Sequence, residues 1–218
     1  MKLVYLAKRK GEFPSQEAFR PRWRQHGALA MSLPTWDRER RYVHADALPP
    51  STAAGAHDYD GVGVVWFDKP MSFTAPTPEK IATNAILLAD ELKTFAGPVL
   101  PMAVMVEETM VKAGGRLTDV TAYLFFNDVN AAVRAATTFA NLKTPNAAER
   151  VAMNRVTDQA ASSTPLLSYK GIVEVAAGSR KDLEAILTAA AVTAELVVVA
   201  RECLLWDHGH VHQVAKSA

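Results

Sequence analysis

The sequence predicts an α+β fold: two ferredoxin-like βαββαβ units whose antiparallel sheets pack against each other as an α/β barrel. Three observations carry this. The first half alternates short strand-forming runs with helix-periodic segments in the order β, α, β, β, α, β, the split βαβ arrangement. The second half repeats that order. Between them, KAGGR at 112–116 reads as a linker, so the units span residues 1–112 and 117–210.

KLVYLAK at 2–8 is apolar and rich in strand formers, and Lys10, Gly11 and Pro14 break it. Ser15 stands at a helix N-cap position with Gln16 and Glu17 in the first turn. Phe19, Trp23, His26 and Ala30 then recur at spacings of four, three and four, which stacks them on one helical face. Arg20, Arg22 and Arg24 fall elsewhere on that helix and are expected to reach water. Pro21 is costly inside a helix, so the segment either starts near Arg20 or kinks there. Pro34 closes it.

Residues 40–48 and 59–67 read as the second and third strands, joined by a small-residue loop at 49–56. After a connector at 70–78, Pro78 opens a helix, where its missing N–H costs little. Ile81, Ala85, Leu88, Leu92 and Phe95 mark its apolar face, expected to pack inward. Gly97 and Pro98 stop it, and residues 99–111 form the fourth strand. In the second half, 118–126, 151–158, 166–176 and 195–206 read as strands. The first helix of that half covers 129–142, with Val133, Ala136, Phe139 and Ala140 near one face. The second is capped by Ser179, with Leu183, Ile186 and Leu187 inward. Each sheet has one face covered by helices and one bare apolar face, and packing the bare faces together buries both.

Composition excludes several classes. With 218 residues, 49% hydrophobic and 22% charged, the chain is of ordinary globular type. A net charge of +1 gives no electrostatic case for a nucleic-acid partner. The single cysteine, Cys203, excludes an internal disulfide and reads as a small buried hydrophobe. No run of about 18 apolar residues marks a membrane span. The short apolar run at 3–7 has its basic residues on the wrong side for a signal peptide, so a cytoplasmic protein is expected. A Gly-rich phosphate loop, a GxSxG elbow and an HExxH pair are all missing.

KLVYLAKRK, the F-x-x-x-W-x-x-H-G-x-L-A run from Phe19 to Ala30, RRYV at 40–43 and YDGVGVVWFD at 59–68 together resemble the EthD family. That family lies within the dimeric α/β-barrel group of ferredoxin-like proteins. The resemblance covers about residues 1–110, and the second half looks like a diverged unit of the same fold. It implies chemistry on lactones and polyketide-like rings without metal or organic cofactor, or an auxiliary role in pollutant degradation. In a methylmuconolactone isomerase relative, a histidine matching His26 takes part in catalysis. A cysteine on the strand matching 59–67 also takes part there, and here that position is valine.

His26 is therefore the leading candidate: an imidazole gains and loses a proton near neutral pH. The competing reading is a core histidine satisfied by one hydrogen bond. Tyr42 and His44 share one face of the second strand and could orient a phenol or carbonyl. His57 and Asp60 stand at the mouth of the third strand, where a carboxylate beside an imidazole could set its tautomer. The alternative is that they are loop residues in water, with Asp60-Gly61 a turn that needs glycine's backbone freedom. Tyr5, Trp23 and Trp66 are candidate substrate-binding walls or plain core. His208, His210 and His212 share one face of an extended tail and could hold a metal, though a loose tail is the simpler reading. Glu107 and Glu108, ending the fourth strand, read as solvated. The expected partner is a small hydrophobic substrate, with a homodimer possible. The expected function is cofactor-free isomerisation, dehydration or lyase cleavage; a metabolite- or haem-binding accessory protein and a cofactor-free monooxygenase are the alternatives.

Overall fold

Burial decides the opening strand: all six residues of β1 (Lys2–Ala7) are buried, so both of its faces meet protein. A computed structural model shows the rest. It describes residues 1–34, 36, 39–67, 77–114, 120–143, 145, 147–157 and 165–208. The expected connector at 70–76, the strand ends at 118 and 158, and His210 and His212 lie outside these residues.

The elements follow as α1 (Gln16–Ser32), β2 (Glu39–Ala47), β3 (Gly61–Phe67), α2 (Pro78–Thr94), β4 (Ala103–Lys112), β5 (Val120–Phe126), α3 (Val129–Asn141), β6 (Arg150–Val156), β7 (Gly171–Ala177), α4 (Arg180–Ala190) and β8 (Leu196–Asp207). The four helices surround a closed, all-antiparallel eight-stranded barrel in the order β1-β3-β2-β8-β5-β7-β6-β4. Within the first half β1 pairs with β3 and β4, and β2 with β3. The second half repeats this, with β5 between β7 and β8 and β6 beside β7. The halves join by hydrogen bonding at β2·β8 and β4·β6. The bare faces thus meet as one lumen, and each described strand has a neighbour on both sides, which removes the exposed edge a sheet otherwise has to protect.

The helices start as their caps dictate. Ser15, Thr77, Asp128 and Ser179 each accept a backbone N–H in the first turn. Pro21 does not delay α1, which runs from Gln16. Glu17, whose carbonyl Pro21 leaves without its usual helical donor, is exposed along with Pro21, so that carbonyl is open to solvent. The fourth strand starts later than expected, because Pro98 and Pro101 favour a 3₁₀ turn at Leu100–Met102. The seventh starts at Gly171, and Leu166 is exposed.

Outside the barrel, α3 and α4 cover a core of Leu124, Phe126, Phe139, Val173, Leu183 and Ile186 with neighbouring aliphatics. The buried face of α3 is Ala132, Ala135, Ala136 and Phe139, and Val133 lies outside it. Its small residues permit close approach: a Cβ on Gly171 would meet the Cβ of Ala132 at 2.5 Å.

Helix α2 reverses expectation. Ile81, Leu88 and Leu92 are 55%, 44% and 49% exposed, and Ala85 is exposed with them. The helix instead packs on α1 with Thr83, Thr94 and an acidic pair turned inward. Periodicity locates an apolar face; it does not say which way that face points.

The lumen also departs from the apolar core expected. Lys2 is fully buried, with Nζ 2.6 Å from Glu174 and 2.7 Å from Glu108. Asn154 donates to Glu174 at 3.0 Å, and Arg150, Thr121 and Tyr123 all donate to Oε1 of Glu202. Glu108 is therefore an interior ion-pair partner and not a solvated strand end, while Glu107 is exposed.

Candidate active site under the first two helices

On strands β1, β2 and β3 the side chains of one register point away from the lumen toward α1 and α2. Tyr5, Tyr42 and His44 lie on this face. Gly61 and Gly63 lie between them and supply room, not unusual backbone angles. A Cβ on Gly63 would fall 1.9 Å from the Tyr5 ring, and one on Gly61 would fall 2.7 Å from the Trp23 ring and 2.4 Å from a strand carbonyl. Neither glycine has a positive φ, so the role expected for Gly61 as a turn residue gives way to close packing.

Trp23 comes down from α1 and stacks on His44, ring centres 4.1 Å apart and 14° from parallel. Its indole N–H donates to the Tyr5 hydroxyl at 3.1 Å. Tyr5 and Tyr42 share a hydrogen bond of 2.8 Å, and Nε2 of His44 stands 3.4 Å from the Tyr5 hydroxyl. Arg24 reaches Nδ1 of His44 at 2.9 Å and Asp46 at 2.5 Å. Burial drives the Tyr5 pKa up to about 12 and Tyr42 well above the usual phenol range, so both stay protonated. Burial, and then the Arg24 charge, holds His44 well below the ordinary imidazole value, so it stays neutral.

His26 is 5% exposed, one turn along α1. Its ring stands edge-on to Phe95, and its Nδ1 lies 2.8 Å from Oδ2 of Asp90 on α2. Arg22 holds the other carboxylate oxygen of Asp90 and its backbone carbonyl. Burial lowers the His26 pKa more than the Asp90 hydrogen bond and charge raise it. The imidazole is thus neutral at neutral pH, and the carboxylate takes the Nδ1–H. That leaves the Nε2 lone pair as the basic atom, the arrangement general base catalysis requires. Glu91, next along α2, has its pKa raised chiefly by burial.

Of the eight candidates, the structure brings His26, Tyr5, Trp23, Tyr42 and His44 together on the side of the sheet covered by α1 and α2. It places the remaining candidates elsewhere. Trp66 points into the lumen, where it donates to Glu108 at 3.1 Å beneath the cations of Lys2 and Arg41. Asp60 is tied to the backbone N–H of Arg9 at 2.7 Å and to its guanidinium. His57 accepts from the Tyr59 N–H and lines an open depression of about 480 Å³ at a barrel mouth. His57 and Asp60 therefore do not share the His26 site. Arg22 and Arg24, expected in water, are site residues. Cys203 is half-buried, paired in register with His44. His208 is exposed, and the described residues contain no cluster of three potential metal ligands.

Residues 14–98 match the profile of the EthD domain. The matched range lies within the first half of the chain and contains His26, Asp90, α1, α2 and the strand bearing both Tyr42 and His44, while Tyr5 precedes it. A solved structure described as a "putative monooxygenase", from Lactobacillus acidophilus NCFM, is similar to this chain. Identity is 12%, coverage is 95% of each chain, and the TM-score is 0.43. No curated protein matches the sequence. Among the described residues, no helix is long and apolar enough to cross a membrane.

The sequence reading missed Asp90, Glu91 and Arg24. Asp90 is 64 residues from His26, on the face of α2 that its own periodicity marks as outward.

Proposed function

We propose that the protein is a cofactor-independent enzyme that moves a proton on a small, largely apolar, oxygenated metabolite. The reaction type is isomerisation, dehydration with cyclisation, or lyase cleavage. One observation carries the reading: a buried, neutral His26 whose Nδ1 is engaged by a carboxylate 2.8 Å away. In this reading Nε2 removes a proton from carbon next to a carbonyl, Asp90 stabilises the imidazolium that forms, and the same nitrogen returns the proton at a second position. Tyr42, protonated and buried, stands on the same face to receive the oxygen on which charge develops.

We further read each half, 1–112 and 117–210, as one ferredoxin-like unit. The recurrence of the 4-1-3-2 strand pairing in both halves supports this. Only the first carries a histidine at the His26 position, which makes the second half the wall that closes the barrel.

The test is deuterium incorporation. Cyclic ketones and lactones bearing acidic C–H bonds, incubated in D₂O, are expected to exchange faster with the protein than with its His26→Ala variant. Equal rates across the panel would remove the proposal. An oxygen electrode on the same mixtures separates proton transfer, which consumes no oxygen, from oxygenation.

A further inference from the structure

The buried hydrogen bonds beside His26 have a direction that their chemistry dictates. An arginine guanidinium only donates, so Nδ1 of His44, 2.9 Å from Arg24, is an acceptor and carries no proton. A neutral imidazole keeps one proton, which therefore sits on Nε2 and points at the Tyr5 oxygen, 3.4 Å away. An indole N–H also only donates, and Trp23 gives the Tyr5 oxygen a second donor at 3.1 Å. With both lone pairs of Tyr5 addressed, its own proton goes to Tyr42, 2.8 Å away. One lone pair of Tyr42 is thereby occupied and its proton is left over. Among the described residues no other hydrogen bond reaches the Tyr42 hydroxyl.

We infer that Arg24, His44 and Tyr5 form a one-way hydrogen-bond chain that leaves the Tyr42 proton free to be donated, so that the site binds an acceptor oxygen, a carbonyl or enolate, through that proton. This rests on the preceding proposal that the helix-covered face takes the substrate, and it adds a polarity which that proposal does not require. Arg24 is a positioning residue: it acts on the substrate through three intervening groups. Asp46, at 2.5 Å, holds the guanidinium in place. Successive hydrogen bonds along such a chain polarise one another, which strengthens the terminal donor. A carbonyl oxygen meets the Tyr42 donor directly, and more strongly as negative charge develops on it.

The test uses 4-nitrophenol, whose phenolate is an acceptor-only oxygen with a visible absorbance, together with ¹⁵N spectra of His44. The intact protein is expected to bind the phenolate on the order of tenfold more tightly than the neutral phenol. His44 is expected to show the Nε2–H tautomer. Tyr42→Phe abolishes the phenolate preference. Arg24→Lys, still able only to donate, keeps both the preference and the tautomer. Arg24→Gln, whose amide oxygen can accept, weakens the preference and lets the Nδ1–H tautomer appear. The readouts are binding and tautomer, not proton exchange, so their failure is distinct from failure of the proton-transfer proposal. Equal binding of the two forms, no binding of either, or an Arg24→Gln protein identical to the parent in both readouts would overturn it.

Discussion

Nδ1 of His26 lies 2.8 Å from the Asp90 carboxylate, a contact made where α1 packs against α2 and bridged further by Arg22. The two helices are joined at this point by hydrogen bonds among His26, Asp90 and Arg22. Asp90→Asn keeps the shape and removes the charge. The expected result is a loss of His26-dependent proton exchange on the order of 10²-fold. Because Asp90 raises the His26 pKa, its loss also moves the acidic limb of the pH–rate profile to lower pH. A rate profile recorded across the acid range reads both effects.

Gly63 is predicted to tolerate no side chain. The Tyr5 ring occupies the space of its Cβ, at 1.9 Å, so Gly63→Ala must displace a fully buried aromatic. The expected destabilisation is about 1–3 kcal/mol in urea unfolding, typical of overpacked cores. Gly97→Ala serves as the control, since a Cβ there meets nothing within 4 Å.

The lumen ion pairs predict an asymmetric mutational response. Lys2→Met leaves Glu174, 1% exposed, without its cation, at a cost of about 3–5 kcal/mol. Adding Glu174→Gln removes the stranded charge and is expected to recover a large part of that loss. The double-mutant cycle measured by thermal unfolding checks this.

Stability is predicted to fall in mild acid. The folded-state pKa values of His26 and His44 lie below their unfolded values, so the unfolded chain binds more protons as the pH drops. The stability these groups contribute is complete above about pH 6.5, the ordinary histidine value, and is lost progressively below it toward their folded pKa values. Urea midpoints at pH 7.5 and pH 5.5 should differ for the parent, and the gap should narrow in His44→Gln.

Much of this molecule is legible in its sequence. Phe19, Trp23, His26 and Ala30 are spaced to share a helical face, and they do, because α1 is amphipathic in the ordinary sense. Ser15, Ser179 and Pro78 mark helix starts through local chemistry alone. Tyr42 and His44 share a strand face by the period of two. What was hidden depends on closure. Lys2, Glu108 and Glu174 are far apart in sequence, and only a closed barrel makes them neighbours. Helix α2 has a legible apolar stripe, yet it turns Asp90 and Glu91 to the site, so the pattern pointed to the wrong face. Trp66 alternates with Gly63 along β3, and the period of two puts it across the sheet from the residues its aromatic character suggested as companions.

The most direct measurement is the ¹⁵N spectrum of His26 at pH 7 in the intact protein. A neutral ring protonated at Nδ1, becoming charged only below the ordinary histidine range, is the predicted result: a base held ready by Asp90. A charged imidazolium at pH 7, or a neutral ring protonated at Nε2, would contradict the account, because neither leaves a free lone pair at Nε2 to take a proton.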